Sequence, residues 1–407
     1  MTLHHRAPLA VGLALLATLN LAAAAGAQIA VSGNDNKVVN VNGVVKVVPN
    51  PPADTVAVID LKASPPRVTA EIQAPVSVVG PPLSIAVTPD ESLALVTASN
   101  KVDPSDPTKQ APNNQVTVID LKANPLKVIA RLEAGNGAAG ISVNRQGTLA
   151  LVSNLVDGTV SVFTIQGKTV TPAGTIEVGG VKAGGGMVAI TPDGKTALVS
   201  RNNDNKISVL SIDGSRVEYT KRDMTAGVRP IVLDIASNGA FAVVGSLAGG
   251  PTGDNDSISL IDLTAKPPRV VDTIGVLGST AEGLKIAPDS SVVAVVVHNG
   301  SNRPKESPFY NDAGKLVIVR VTGKTLSRVG EAPIGHWSQG VVFSPDGKTI
   351  LVGNMVEKDY WVFQWSGAML KDTGQRVKVN GGPAAIRTAE KEAPSGGGRL
   401  PQPPPRP

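Results

Sequence analysis

The chain has 407 residues, with 42% hydrophobic and 17% charged residues, a formal net charge of +5, and 43 glycines and 32 prolines spread through it as turn residues. It has no cysteine, which excludes disulfides, thiol catalysis and cysteine-bound metals, and only four histidines, so we predict no metal site and no cofactor. The small positive charge and the 3% aromatic content are not typical of nucleic-acid binding.

Residues 1–27 have the pattern of a secretory signal peptide. A short basic start ending at Arg6 precedes an apolar run from Ala7 to Leu21, and Ala25-Gly26-Ala27 supplies the small residues of a cleavage site. We therefore predict a mature chain that begins near Gln28, is periplasmic or secreted, and does not insert into a membrane. The alternative is that the apolar run is kept as a membrane anchor, although it is short for a bilayer.

An alternating strand recurs seven times along the rest of the chain. The clearest copies read VAVIDLKASPPRV, VTVIDLKANPLKV and ISLIDLTAKPPRV. Their apolar/polar alternation has the period of two that is typical of β-strands. The spacing of 44 to 60 residues is about the length of a propeller blade. The seven copies begin at Val56, Val116, Val160, Ile207, Ile258, Leu316 and Tyr360.

A turn motif recurs in step with these strands. In its full form it reads Thr/Ser-Pro-Asp-Gly, in which proline presets φ at the first corner and glycine accepts the left-handed exit. Each turn joins two short apolar strands, so the repeating unit has four strands, here named A, B, C and D in chain order. The six copies of the motif, complete or degenerate, begin at Thr88, Asn144, Thr191, Ala236, Ala287 and Ser344.

The two ends of the repeat region predict how the ring closes. Residues 28–34 read as a B strand that lacks an A strand, and residues 381–387 read as an A strand that lacks a B strand. Their pairing would complete a seventh blade and remove the free sheet edges. The predicted fold class is all-β, a seven-bladed β-propeller with four-stranded blades over residues 28–388. A disordered Pro/Gly-rich tail is predicted over residues 389–407.

The turn motif, B strands such as LALVSN and C strands such as VTVIDL together resemble the YVTN-repeat β-propellers, which are relatives of the surface-layer and lactonase-like seven-bladed propellers. The resemblance covers about residues 28–388. It implies the fold more strongly than any activity, because the repeated residues are those that build blades. It is compatible with lactone hydrolysis and with a role beside a periplasmic redox enzyme.

One face of the predicted disc carries long insertions. Because strand direction alternates within a blade, the B–C loops and D-to-A connectors share one face, here named the looped face, and the A–B turns share the opposite turn face. The first insertion contains Asn42-Gly43 between alternating segments, the signal of a two-residue hairpin. We predict that the looped face is the functional one. Its insertions are residues 34–54, 101–115, 246–256 and 299–314.

Polar residues gather where A strands begin and B strands end on the looped face. Arg229, Glu282 and His336 begin the A strands of blades 4, 5 and 6. If the protein is a hydrolase, these are the candidate catalytic residues: Glu282 or His336 would activate water, and Arg229 would stabilise the oxyanion. The candidate ligand-binding residues are Asn154, Arg201, Asn202, His298, Trp337, Gln339 and Asn354.

Each candidate also has a structural interpretation. An asparagine at the end of a B strand can cap the B–C turn, the charged residues can pair with each other at a solvated rim, and Trp337 can be a lid. The segment Asp254–Asp256 could bind Ca²⁺, but too few oxygen ligands favour an ordinary polar loop. The segment Gly184–Gly186 precedes no helix, which favours a close backbone approach over a phosphate loop.

These features favour a monomeric binding or scaffold module that engages a protein, a glycan or a small anionic ligand on the looped face. The alternative is a lactonase-like hydrolase with its site at the mouth of the central channel. A further alternative is an accessory subunit of a periplasmic redox enzyme. All three remain open at the level of sequence.

Overall fold

The computed structural model describes residues 28–247, 256–275 and 278–391. Within these ranges the regular elements are thirty β-strands, which form seven four-stranded sheets and one two-stranded hairpin. The innermost strand of every sheet contacts the innermost strands of both neighbouring sheets, so the sheets close into a ring. The predicted fold class is confirmed: the protein is an all-β, seven-bladed propeller with four-stranded blades.

The described chain begins inside blade 7. Its first five strands are β1 (Ile29–Asp35), β2 (Val38–Val41), β3 (Val44–Val47), β4 (Thr55–Asp60) and β5 (Arg67–Gln73). Strands β2 and β3 form the predicted hairpin, in which Asn42 and Gly43 have φ of 48° and 75°. Positive φ at both central residues is the geometry that suits the twist of a two-residue hairpin.

Blades 1 to 3 each take four consecutive strands, ordered from the channel outward. Blade 1 contains β6 (Ile85–Val87), β7 (Leu93–Val102), β8 (Gln110–Asp120) and β9 (Lys127–Glu133). Blade 2 contains β10 (Ala138–Val143), β11 (Leu149–Asn154), β12 (Thr159–Gln166) and β13 (Thr169–Glu177). Blade 3 contains β14 (Gly185–Ile190), β15 (Thr196–Arg201), β16 (Lys206–Asp213) and β17 (Arg216–Met224).

Blades 4 to 6 repeat this arrangement. Blade 4 contains β18 (Pro230–Ile235), β19 (Phe241–Ser246), β20 (Ser257–Asp262) and β21 (Arg269–Ile274). Blade 5 contains β22 (Ala281–Ile286), β23 (Val292–Val297), β24 (Gly314–Thr322) and β25 (Thr325–Ile334). Blade 6 contains β26 (Ser338–Phe343), β27 (Thr349–Asn354), β28 (Asp359–Trp365) and β29 (Leu370–Lys378).

Blade 7 joins the two ends of the described chain. Its innermost strand is β30 (Gly382–Thr388), and the sheet has the order β30-β1-β4-β5. Strand β30 pairs antiparallel with β1, with Ala30 opposite Thr388 and Ser32 opposite Ile386. Three of the four strands in this blade therefore come from the start of the described chain, and the fourth comes from its end.

Burial follows the position of a strand in its blade. The A strands β10 and β22 and the B strand β11 are buried along their whole length, because neighbouring blades cover both of their faces. The D strand β5 instead alternates between exposed and partly buried residues. Apolar side chains between the blades form the core, in clusters such as the one that joins Phe163 of blade 2 to Leu95 of blade 1.

The predicted A–B turns are present in all six copies. In each turn the backbone N–H of the fourth residue donates to the carbonyl of the first, at 2.8–2.9 Å. The fourth residue is left-handed in every copy, including the two that are not glycine, Glu91 (φ 55°) and Ser290 (φ 63°). The turn face is therefore uniform and tight, as the motif predicts.

Two boundaries differ from the prediction. Most of the insertion at 101–115 is not a loop, because β7 and β8 extend into it and pair Val102 with Gln110. The folded part also continues beyond residue 388, since Ala389 is buried and both Glu390 and Lys391 form ion pairs. The predicted signal peptide over residues 1–27 and the rest of the predicted tail, residues 392–407, lie outside the described residues.

No helix with the length and apolarity needed to span a membrane occurs in residues 28–247, 256–275 and 278–391.

Candidate functional site

The A strands share one irregularity at the looped face. In blades 2 to 6 the pairing of the A strand with the B strand shifts near the first residues of the A strand, as in a β-bulge. The skipped residues are mostly small or apolar, but blade 5 places Glu282 there and blade 6 places Gln339 at the equivalent position. Bulges often reorient a side chain beside an active site.

The residue that precedes each of these strands adopts a left-handed backbone. Blades 2 and 3 use Gly137 and Gly184 at this position, whereas blades 4, 5 and 6 use Arg229 (φ 53°), Thr280 (φ 65°) and Trp337 (φ 51°). Left-handed backbone is costly for residues other than glycine and is concentrated at functional sites. The strained positions occur in the same three blades that hold the predicted catalytic residues.

The Glu282 carboxyl group on this face has a strongly raised pKa. Its side chain is buried, with 9% of the residue exposed, and burial together with the negative charge of Asp256 raises its pKa to about 7. The nearby Arg229 guanidinium acts in the opposite direction and lowers this pKa. Glu282 therefore exists as both acid and base at neutral pH, which is the property that a general acid–base residue needs.

Asp256 binds the backbone of Ala281, the residue before Glu282. It is 1% exposed, and its Oδ2 accepts a hydrogen bond from the N–H of Ala281 at 2.8 Å. Asp256 lies just before β20 in blade 4 and Arg229 lies just before β18 in the same blade. The B–C loop and the A strand of blade 4 thus contribute one negative and one positive group to the surroundings of Glu282 in blade 5.

His298 lies beside the second polar bulge. Its Nε2 is 2.7 Å from the carbonyl oxygen of Ser338, so Nε2 carries the proton and donates it. Burial lowers the pKa of His298 to about 4, although the bond to Ser338 acts against this shift. The side-chain amide of Gln339 lies 3.5 Å from Nε2. His298 is therefore neutral at physiological pH, and its unprotonated Nδ1 has no hydrogen-bond partner within the described residues.

His336 is held by a carboxylate of its own blade. Its Nδ1 lies 2.6 Å from Oε1 of Glu357, and its backbone N–H also donates to that carboxylate. Glu357 follows β27. The pair therefore links the segment just before the A strand of blade 6 to the B–C loop of the same blade. Among the predicted catalytic residues, Arg229 acts on the Glu282 carboxyl group through its charge, whereas His336 is not among the groups that shift the Glu282 pKa.

Trp337 lies under the β2–β3 hairpin. It is buried in a cluster with Val38 and Met355, beside a cavity of about 110 Å³. The hairpin continues over blade 6 and contacts the insertion at 299–314, where Asn40 donates to the carbonyl of Asn302. Insertions from blades 5 and 7 therefore meet on the looped face, and Trp337 is covered by one of them.

Three of the four remaining predicted ligand-binding residues are engaged within their own blades. The Asn154 amide donates to Thr159 and Ser161, and the Asn354 side chain accepts from Ser338 and from the N–H of Gly335. Arg201 binds Asp204, Ser208, Tyr219 and Asp223, which leaves its guanidinium inside blade 3. The contacts of Asn154, Asn354 and Arg201 are the capping and pairing contacts of the structural interpretation. Asn202 differs, because it is buried next to Gly184 and its side-chain Oδ1 has no hydrogen-bond partner within the described residues.

The last two motifs are the glycine segment at 184–186 and the acidic loop at 254–256. Gly186 makes the predicted close backbone approach, since a Cβ there would lie 2.8 Å from the carbonyl oxygen of Ile231 in the next blade. Asp254 and Asn255 lie outside the described residues. No group of three or more histidine, aspartate or glutamate side chains suited to a metal ion occurs in the part of the chain that the structure describes.

Sequence reasoning placed Glu282 and Arg229 on the looped face but did not predict the groups around them. The role of Asp256 had no sequence signal beyond its place in an insertion, and the bulge at Glu282 is visible only from strand register. One sequence signal could have indicated the strained positions. Immediately before the A strand, blades 2 and 3 have glycine, whereas blades 4 to 6 have larger residues.

Several solved structures are similar to this one over most of its length. The periplasmic gluconolactonase of Pseudomonas aeruginosa matches with a TM-score of 0.65 and 17% identity, over 88% of this chain and 99% of that one. A candidate 6-phosphogluconolactonase from Bacteroides fragilis matches with a TM-score of 0.66 and 16% identity, over 89% and 98%. The hydrazine synthase of Kuenenia stuttgartiensis matches with a TM-score of 0.57 and 20% identity, over 77% and 91%.

These likenesses show the fold alone. At such identities a shared seven-bladed architecture does not transfer an activity. No family model and no curated protein matches the sequence, so the resemblance to YVTN-repeat propellers stays a prediction.

Proposed function

We propose that the protein is a hydrolase that opens small lactones, with its site around Glu282 on the looped face. The observation that carries this proposal is a buried carboxyl group at a bulge of the A strand, with a pKa of about 7 and within the influence of an arginine charge. The lactonases among the structural neighbours support the choice of substrate class. This replaces the binding or scaffold interpretation as the leading one.

The chemistry needs one base and one oxyanion partner. The Glu282 carboxylate takes a proton from water as the water oxygen attacks the lactone carbonyl carbon. Arg229, which is exposed and whose charge acts on Glu282, stabilises the negative charge that develops on the carbonyl oxygen. The ring C–O bond then breaks, and the leaving alkoxide takes the proton back from Glu282. One lactone and one water give one hydroxy acid, and Glu282 returns to its starting state.

The test is hydrolysis of a lactone panel that includes gluconolactone, followed by pH-stat titration. We expect Glu282→Gln to lower kcat/KM by about 100-fold or more, the usual contribution of a positioned base. Arg229→Ala should lower it by a comparable factor through loss of oxyanion stabilisation. In the wild-type protein kcat/KM should rise with pH and level off above about 7, because the base acts in its ionised form.

The matched control is Glu218→Gln, an exposed glutamate on strand β17 that pairs with Arg216. It should leave both kcat and KM unchanged. A wild-type protein that opens no lactone, or a Glu282→Gln variant with full activity, would refute the proposal. Capture of a glycan or a protein without turnover would instead restore the binding interpretation.

We also propose that the protein acts outside the cytoplasm. The support is the signal-peptide pattern of residues 1–27. Mass spectrometry of the exported fraction is expected to give a chain that begins at or near Gln28. Recovery of the uncleaved chain in a membrane pellet would favour the anchor alternative.

A further inference from the structure

The turn face holds a second cluster of charged residues at the channel. Asp234, Lys285 and Arg387 occupy equivalent positions in the A strands of blades 4, 5 and 7, opposite Val243, Ala294 and Val31 of their B strands. All three are buried. The other four blades have small or apolar residues at this level: Ala86, Ser142, Ala189 and Val342.

A carboxylate from the end of the folded chain enters this layer. Oε1 of Glu390 accepts from Nζ of Lys285 and from Nη2 of Arg387, both at 2.8 Å. The Lys285 and Arg387 side chains are 11% and 5% exposed, whereas the Glu390 side chain is 31% exposed. The cations therefore belong to the wall of the channel, and the carboxylate reaches them from the solvent side.

The surroundings strongly favour a negative charge at this point. Burial by itself would raise the pKa of Glu390, but the charges of Lys285, Arg387 and Arg145 hold it well below its ordinary value. Without Glu390, three cations would face the single carboxylate of Asp234, which already binds Lys285 at 3.1 Å. Buried cations that lose their counter-ion are strongly destabilising.

One hydrogen-bond donor in this cluster is not used. Nη1 of Arg387 is buried and has no hydrogen-bond partner within the described residues. A cavity of about 20 Å³ lies beside it, lined by Arg145, Asp234, Arg387 and Glu390 among others. This volume is enough for one water molecule. A small anion with two oxygens could satisfy both Lys285 and the free Nη1 once the Glu390 side chain is withdrawn.

We propose that this cluster is a binding site for a small carboxylate anion and that Glu390 occupies it as an internal ligand. The proposal is independent of the activity assigned to the looped face. The geometry that carries it is the convergence of Lys285 and Arg387 on one oxygen of Glu390, with the second arginine nitrogen left unpaired.

The test uses the full chain with the substitution Glu390→Ala and sodium acetate as the probe. We expect the melting temperature to fall by about 5 °C or more, because buried cations lose their partner. Acetate should restore at least half of the loss in a saturable manner, whereas sodium chloride at equal ionic strength should not. The matched control is Glu390→Gln, which removes the charge but fills the space, so acetate should not restore it.

Several results would count against the proposed anion site. A Glu390→Ala protein that melts at the wild-type temperature would overturn the proposal. Equal effects of acetate on the wild type and both variants, or equal effects of acetate and chloride on Glu390→Ala, would also overturn it. If Glu390→Ala does not fold in chloride, its refolding from urea is compared in acetate and in chloride, and equal yields would count against the site.

Discussion

Glu282 differs in chemical type from most residues at the same position of the other blades. The equivalent bulge positions in blades 2, 3 and 4 hold Ala139, Gly186 and Ile231, which need no partner when buried. A carboxyl group at this position must either stay protonated or be buried with its charge, and both are costly. Such a cost is typical of a residue that is kept for chemistry rather than for stability.

The first prediction at the residue scale concerns stability. The carboxyl ionises at its ordinary value of 4.5 in the unfolded chain and at about 7 in the folded one. Between these pH values the folded chain keeps a proton that the unfolded chain has lost, so stability falls as pH rises and is level above 7. Glu282→Gln removes this penalty and should be more stable than wild type by about 3 kcal/mol above pH 7.

Urea denaturation at pH 4, 6 and 8 measures this difference. The gain should vanish at pH 4, where the carboxyl is protonated in both states. The exposed Glu218→Gln control should show no gain that grows with pH. A gain of the same size at all three pH values would contradict the assigned pKa.

At the scale of the strand, glycines in the A strands allow neighbouring blades to pack closely around the channel. Gly140, Gly283 and Gly340 share one place in the A strands of blades 2, 5 and 6. At each of them a Cβ would meet backbone atoms of the next A strand, and at Gly283 it would overlap the carbonyl oxygen of Gln339. The two polar bulges are therefore neighbours because a glycine lets their strands meet.

Gly283→Ala tests this close approach. The added methyl group must push blades 5 and 6 apart, so we expect a loss of about 1–3 kcal/mol in the free energy of unfolding. Gly275→Ala is the control, because no atom lies within 4 Å of a Cβ at that position. It should change stability by less than about 0.5 kcal/mol. Equal urea midpoints for the two variants would show that the strands can separate freely.

At the scale of the whole molecule, the ring depends on one pairing. All other blades form from consecutive strands, but blade 7 needs β30 to pair with β1 across the full length of the described chain. The contact between β30 and β6 then completes the circle of A strands. A closed ring leaves no A strand without a neighbour on either side.

Deletion of residues 28–34 should open this ring. Strand β30 would lose its partner β1, and its unpaired edge would be free to join another chain. We expect aggregation, or a broad unfolding transition in place of a cooperative one. Light scattering and thermal denaturation measure these effects. A truncated protein that stays monomeric and keeps the wild-type midpoint would contradict this account of the seventh blade.

The sequence by itself determined the features that depend on neighbouring residues. The period-two strands, the six turns and the Asn42-Gly43 hairpin were predictable because alternation and turn chemistry act within a few residues. The length of the repeat then identified the unit as a propeller blade, and its seven copies determined the number of blades. The same local signals could also place Glu282 and Arg229 on the looped face, since strand direction alternates regularly within each blade.

Only the tertiary structure decided which charged groups meet. Asp256 and Glu282 come from different blades, His336 pairs with Glu357, and Glu390 enters the turn face beside Lys285. None of these partners is close in sequence. The proton affinity of Glu282 also depends on how much water the neighbouring blades exclude, and that quantity exists only once the ring has closed.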